Sequence, residues 1–156
     1  MNAGPHRLNK VELDAASVVP APTSEIDHDR LVAIFDLVEQ NSFEPEGAAG
    51  GPYQLRLAFE ENRLVFDVAG PDYGRRHMLS MTPFAKVVKD YFMVCDSYYE
   101  AVRDASPGQI EAIDMGRRGL HNEGAVLLRE RLDGKIAIDH ETGRRLFTLI
   151  CALSRR

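Results

Sequence analysis

The side chains best suited to chemistry are concentrated in one short segment, DMGRRGLHNEG, at residues 114–124. It holds two carboxylates, two guanidinium groups, an imidazole and an amide, on Asp114, Arg117, Arg118, His121, Asn122 and Glu123. Adjacent guanidinium groups can hold a phosphate or a partner's carboxylate through paired hydrogen bonds. The imidazole can exchange a proton near neutral pH if a carboxylate, Asp114 or Glu123, orients it. These residues are the predicted partner- or ligand-binding site.

A purely structural interpretation of the same segment is a polar corner between two helices. Gly119 would then end one helix in a left-handed conformation, and Asn122 would cap the next. Binding of a partner and catalysis are the functional alternatives, and the residues leave all three open. No metal site is predicted, because His121 and Glu123 lie two positions apart and would point away from each other on a helix.

The motifs of common enzymes and cofactor sites are missing from the chain. There is no GxxxxGK[ST], no GxGxxG with a suitable acidic residue after it, no GxSxG and no HExxH. Cys95 and Cys151 are far apart and fall on apolar helical stripes, where burial makes a thiol unreactive. We therefore predict a non-enzymatic protein with no catalytic residue and no cofactor.

Length and charge narrow the class of protein further. At 156 residues the chain has the size of one ordinary domain, and its net charge of -5 argues against nucleic acid as a partner. No apolar run approaches the roughly 20 residues that span a bilayer, and the first residues contain no apolar signal core. These features predict a cytosolic protein that is not inserted into a membrane.

Strands are predicted where apolar and polar residues alternate. Three such runs lie between residues 53 and 81, separated by short turns, so neighbouring strands must be antiparallel. In the first turn, Glu61-Asn62, asparagine is expected to take the positive φ. Weaker alternation predicts two more short strands, around Val11 and Leu13 and around Ile136 and Ile138.

Helices are predicted where apolar residues recur every three or four positions after a capping residue. The first begins at Ser24, with Asp27 in the capping-box position. Its core-facing stripe is Leu31, Ile34, Phe35 and Val38. The strongest begins at Thr82-Pro83 and carries apolar and aromatic residues for five turns, so we expect it to be the central helix, lying across the sheet.

The last third of the chain is predicted to be helical as well. One helix starts at Ser106-Pro107, a short one runs over residues 122–132, and Asp139 caps the last. The inner side chains of the last helix are Leu146, Phe147, Ile150 and Leu153. Arg155 and Arg156 are expected to stabilise its negative end.

These elements predict an α+β protein, in which a small antiparallel β-meander of three to five strands packs against four to five helices. Residues 1–23 are interpreted as a flexible N-terminal segment with a short strand, and residues 24–156 as one globular domain. A homodimer is compatible with the free edge of a meander, although Arg75 and Arg76 on that edge argue against edge-to-edge pairing.

Four segments resemble a known family: FEPEGAAGGPY, LSMTPFAKVVKDYFMVCDSYYEAVR, IEAIDMGRRGLHNEGA and TGRRLFTLICAL. They are similar to an uncharacterised protein family of the UPF series, small cytosolic proteins of alphaproteobacteria. The resemblance covers nearly all of the chain beyond the first twenty residues. It implies a bacterial cytosolic protein and an association with control of cell shape through the actin-like cytoskeleton, but it carries over no site residue.

The sequence therefore predicts an interaction or regulatory protein that binds a cytosolic protein partner and controls its assembly, with an actin-like filament protein as one such partner. The alternative is an enzyme or sensor for a small phosphorylated ligand that uses Arg117, Arg118 and His121.

Overall fold

A mixed sheet and four helices share one hydrophobic core in residues 4–154, the part of the chain that this computed structural model describes. In chain order the elements are β1 (Leu8–Leu13), α1 (Ser24–Glu39), β2 (Phe43–Pro45), β3 (Tyr53–Glu60), β4 (Arg63–Gly70), β5 (Tyr73–Ser80), α2 (Ala85–Asp104), α3 (Pro107–Leu132), β6 (Ile136–Ile138) and α4 (His140–Ser154). The predicted α+β class is confirmed. None of the helices in these residues is long and apolar enough to cross a lipid bilayer.

The predicted meander is confirmed in β3, β4 and β5, which pair in antiparallel order. Leu57 lies opposite Phe66, and Phe66 lies opposite His77, so these three side chains line the buried face of the sheet. The first turn differs from the prediction in one residue, because Glu61 takes the positive φ of 59°. Asn62 instead donates a hydrogen bond of 2.8 Å to the hydroxyl of Thr82.

The two short predicted strands are β1 and β6, and they lie in different sheets. β1 pairs in parallel with β3 and forms one edge of the sheet, so that β5 forms the other. β6 pairs with β2, a strand of three residues that is too short for alternation to reveal.

The central helix is α4, and the prediction that the helix after Thr82-Pro83 would be central is wrong. Most of α4 is buried: Thr142, Gly143, Leu146, Phe147, Leu149, Ile150, Cys151 and Leu153. Its start is fixed as predicted, since the backbone N–H of Thr142 donates to the Asp139 carboxylate at 2.8 Å. Arg155 and Arg156, predicted at its far end, lie outside the described residues.

Helix α2 packs against the core mainly through its first two turns. Thr82–Phe84 form a 3-10 turn, Thr82 makes no capping bond, and Val87 and Val88 are buried in the first turn of α2. Farther along α2 several apolar side chains are exposed, among them Met93, Tyr99 and Val102. The apolar stripe thus continues beyond the core, and α2 packs along α3 as a helical hairpin instead of crossing the sheet.

The buried face of α1 is rotated from the predicted one. The helix begins at Ser24 as predicted, but Thr23 is its cap, accepting from the N–H of Ile26 at 3.1 Å. Phe35 is 66% exposed and Leu31 is exposed as well, so their predicted burial is wrong. Arg30 takes the core-facing position, because its guanidinium donates to the backbone oxygen of Val19 at 2.7 Å.

Helix α3 is continuous for 26 residues, and the predicted corner at residues 114–124 is wrong. A capping box between Ser106 and Gln109 starts the helix as predicted. Gly119 is an ordinary helical residue, not a left-handed C′ residue, and Asn122 caps no helix. A glycine costs an interior helical position only about 1 kcal/mol relative to alanine, which packing against α2 and α4 can offset.

Gly124 has a packing role that the two other glycines of the segment lack. A Cβ at position 124 would fall well within 3.0 Å of the Phe147 ring, whereas one at Gly116 or Gly119 would meet nothing within 4 Å. Gly124 therefore allows α3 to approach α4 closely.

We expect the Gly124→Ala variant to lose about 1–3 kcal/mol of the free energy of unfolding, because the added methyl group overpacks this contact. Gly116→Ala and Gly119→Ala serve as controls and should gain roughly 0.5–1 kcal/mol from helix propensity alone. Urea denaturation of the three variants measures both effects. Equal stability of the 124 and 119 variants would contradict this account of the contact.

Candidate functional site

The six predicted site residues all lie on helix α3, but they do not converge on one point. Asp114, Arg117 and Arg118 form an ionic cluster, while His121 turns toward α4. Asn122 and Glu123 are exposed, and Oδ1 of Asn122 lies 3.4 Å from Nε2 of His140, a long contact. The first four follow at steps of three and four residues and share one stripe of the continuous helix, whereas Asn122 and Glu123 lie outside it.

Asp114 is the centre of the ionic cluster. One of its oxygens accepts from Nη2 of Arg117, and the other lies 2.8 Å from Nη2 of Arg118. The Arg117 guanidinium also lies over the ring of Tyr98, 4.5 Å from its centroid, a favourable cation–π arrangement. Arg118 is different, since its side chain is 69% exposed. Arg117 is thus held by two contacts, with Asp114 and with the ring of Tyr98, and Arg118 can reach solvent.

His121 is anchored by α4. Its Nε2 lies 2.8 Å from the backbone oxygen of Arg144 and 2.8 Å from the Thr148 hydroxyl. Because a carbonyl oxygen only accepts, Nε2 carries the hydrogen, and Nδ1 can accept from Nη2 of Arg144 at 3.3 Å. The structure therefore corrects the expectation that Asp114 or Glu123 orients this imidazole.

The same surroundings disfavour a charged imidazole. Burial is the main cause that lowers the pKa of His121 below the ordinary histidine value, and the charge of Arg144 acts in the same direction. A second hydrogen, on Nδ1, would face the Arg144 guanidinium. His121 is therefore suited to a neutral structural role near pH 7 rather than to binding an anion as a cation.

Aromatic rings connect His121 to a larger feature of the surface. Its ring lies 5.8 Å from that of Tyr91 and 6.0 Å from that of Phe147, measured between centroids. Burial raises the pKa of Tyr91, and the neighbouring Cys95 thiol adds to that effect. The side chain of Tyr91 forms part of the wall of an adjoining groove.

This groove runs between α1 and α2 and has a volume of about 1000 Å³. We call it the α1–α2 groove and define it by its lining residues: Ser24, Glu25, Ile26, His28, Asp29, Val32, Ala33 and Asp36 on α1; Tyr91, Phe92, Cys95, Tyr99, Val102 and Arg103 on α2; Arg117 on α3; and Thr148, Cys151 and Ala152 on α4. Its walls include exposed side chains, such as Val32 and Val102, so it is open to solvent.

A smaller cavity of about 240 Å³ adjoins the groove and shares Ala33, Asp36 and Thr148 with it. His121 lines this cavity, and Arg117 lines the groove. Two of the six predicted site residues thus border these spaces, and the other four border neither.

Sequence reasoning missed the groove and most of its residues. The signal on α2 was present, because its apolar stripe continues for more turns than the core can cover. Apolar spacing alone predicts that this stripe is core, and the predicted face of α1 does not include the groove wall. Both cysteines line the groove: Cys151 is buried as predicted, whereas Cys95 is only half-buried.

No group of three His, Cys, Asp or Glu side chains in residues 4–154 is arranged to hold a metal ion. The groove combines an apolar floor with charged rims, which suits the binding of a partner surface.

This geometry defines the class of the protein: an α+β fold with an open groove between two helices. The chain belongs to an uncharacterised protein family, UPF0262, which matches residues 5–156. It is 58% identical to a UPF0262 protein of Caulobacter vibrioides over 97% of this chain and 94% of that protein. It is also 59% identical to one of Phenylobacterium zucineum over 97% and 94% of the two chains, and 56% identical to one of Rhizobium etli over 98% of each. No solved structure matches the chain with significance.

The neutral state of His121 predicts a pH dependence of stability. Since its pKa is lower in the folded chain, the unfolded chain binds the proton first as the pH falls through about 6.5. The contribution of neutral His121 to the free energy of unfolding is therefore complete above that pH. It is lost as the pH falls toward the folded-state pKa, by at most about 1.4 kcal/mol per pH unit.

We expect the His121→Gln variant to lose less unfolding free energy than the wild type between pH 7 and pH 5, as measured by urea titrations. Met93→Gln, at an exposed position on α2 that carries no titratable group, serves as the control and should keep the wild-type slope. His77, whose pKa burial also lowers, is present in all three proteins and cancels in the comparison. Identical slopes for His121→Gln and the wild type would contradict the assignment.

Proposed function

We propose that this protein is a non-enzymatic cytosolic interaction protein that binds a protein partner in the α1–α2 groove and controls the assembly of that partner. The observation that carries the proposal is the exposure of apolar side chains on both walls of one groove, Val32 on α1 and Tyr99 and Val102 on α2. Contiguous exposed apolar surface bordered by charged residues is typical of a protein-binding site.

The groove has the dimensions of a short helical segment. From Glu25 to Asp36 its α1 wall covers eleven residue steps, which correspond to roughly 17 Å of helix. The α2 wall, from Tyr91 to Arg103, covers twelve steps or roughly 18 Å. A partner helix of about three turns matches both walls, as in complexes where a helix binds in a groove between helices.

The actin-like cytoskeleton enters the proposal through the family resemblance alone. The related proteins carry only the family's name, so they neither support nor oppose a role in cell shape. The partner's identity is therefore an outcome of the experiment below, in which an actin-like filament protein would support the proposal of cell-shape control.

The alternative, a small phosphorylated ligand bound by Arg117, Arg118 and His121, has less support. The two guanidinium groups share the Asp114 carboxylate, and the neutral His121, about one turn farther along α3, is already bonded to α4. A ligand bound there would raise the melting temperature by mass action. The alternative therefore requires a thermal shift with millimolar nucleotides or sugar phosphates.

The groove is tested by a photoreactive residue placed at Val102 or, as a control, at Met93. Both positions are exposed on α2, at 55% and 58%, but only Val102 lines the groove. We expect one dominant protein to be crosslinked in cells at position 102 and not at position 93. Absence of such a protein, or equal crosslinking at the two positions, would remove the groove as the binding site.

Substitution by a charged residue gives an independent measurement with the identified partner. Val102→Asp should weaken binding at least about tenfold, because it places a charge in an apolar contact, whereas Met93→Asp should leave the affinity unchanged. Both variants should keep the wild-type unfolding free energy within roughly 0.5 kcal/mol, as is usual for surface substitutions. Equal affinities of the two variants would contradict the proposed site.

A further inference from the structure

The two long walls of the α1–α2 groove differ in charge. The α1 wall carries three carboxylates, Glu25, Asp29 and Asp36, whose spacings of four and seven residues place them along one edge of the helix. None of the three forms an ion pair with a Lys, Arg or His side chain within residues 4–154. This row of charges is therefore available to a binding partner.

The α2 wall is mainly aromatic and apolar. It presents Tyr91, Phe92, Tyr99 and Val102, and its charged member, Arg103, lies in the last turn of the helix. The other arginine in the groove, Arg117, is already paired with Asp114. An occupant of the groove thus meets apolar surface on one side and unpaired carboxylates on the other.

The groove also constrains the backbone of its occupant. Every residue that lines it belongs to one of the helices α1 to α4, whose backbone groups bond within the helix except in the terminal turns, and no strand edge is present. An extended segment would find few backbone partners there, and most of its own N–H and C=O groups would lose water without replacement. A helix satisfies these groups internally.

We propose that the occupant is an amphipathic α-helix of about three turns, with an apolar stripe against α2 and α4 and a row of Lys or Arg facing Glu25, Asp29 and Asp36. This inference rests on the proposed function, because it names the partner's binding element in the same groove. Charge complementarity selects it over an acidic helix, and the carboxylate row disfavours an anionic lipid or nucleic acid surface.

Two synthetic 14-residue helical peptides test the inference in a fluorescence anisotropy titration. Both carry the same Leu stripe, and one has Lys and the other Glu along the flanking edge. We expect the wild-type protein to bind the Lys peptide at least about fivefold more tightly than the Glu peptide, as two or three surface charge pairs allow. This ratio should fall as salt is added, because exposed charges are screened.

A charge-reversal pair of variants assigns the preference to the groove. Asp29→Lys combined with Asp36→Lys should abolish or invert the ratio, because both residues line the groove. Asp27→Lys combined with Glu39→Lys is the matched control: it changes the net charge equally on the same helix, at exposed positions outside the groove. The control should keep the wild-type ratio, and circular dichroism checks that both variants fold.

The inference is overturned if neither peptide binds the wild type, if the two bind equally, if the Glu peptide binds more tightly, or if the control loses the ratio as well. Crosslinking at position 102 shows whether such a result contradicts only the inferred basic helix or the proposed binding function as well. A captured partner segment that is acidic or extended, or a second copy of this chain, overturns the helix inference while the groove stands as a binding site. An absence of any captured protein removes the proposed function itself.

Discussion

The close approach of α3 to α4 is the constraint on which the rest of the helical layer depends. It is possible because Gly124 presents no side chain to the ring of Phe147. With the two backbones at that distance, His121 reaches the backbone oxygen of Arg144, and the rings of Tyr91, His121 and Phe147 come together. The start of α2 is thereby held near α4, and the groove opens on the other side of Tyr91.

The opposite wall of the groove is fixed by a different interaction. Arg30 is nearly buried, and its guanidinium donates to the backbone oxygens of Val19 and Ala152. These bonds join the segment before α1 and the end of α4 to the middle of α1. A buried charge that is satisfied by carbonyl oxygens specifies one orientation of the helix, because rotation of α1 would leave that charge without partners.

The comparison of sequence and structure separates local signals from those that depend on distant contacts. The strands β3 to β5 could be predicted because their alternation and short turns determine pairing locally, and the capping residues Ser106 and Asp139 likewise act within a few positions.

The face of α1 could not be predicted from apolar spacing, since a charged residue, Arg30, occupies the buried position. The break predicted at the glycines of α3 does not occur, because packing offsets the helical cost of Gly116 and Gly119, and the role of Gly124 depends on Phe147, a residue on another helix. The groove itself arises between helices that are far apart in the chain, so the long apolar stripe of α2 does not by itself reveal the opposite wall.

The turn between α2 and α3 has a mechanical consequence for the groove. Ser106, Pro107 and Gln109 restrict the connection tightly, through a capping box and a fixed proline torsion, so the two helices form a stiff arm instead of a loosely linked pair. From Pro107 to Gly124 this arm extends for roughly 26 Å along α3. Tyr99 and Val102 lie near the tip of this arm, far along it from the contact of Gly124 with Phe147. The position of this part of the α2 wall therefore depends on the direction in which the contact of Gly124 with Phe147 holds the arm.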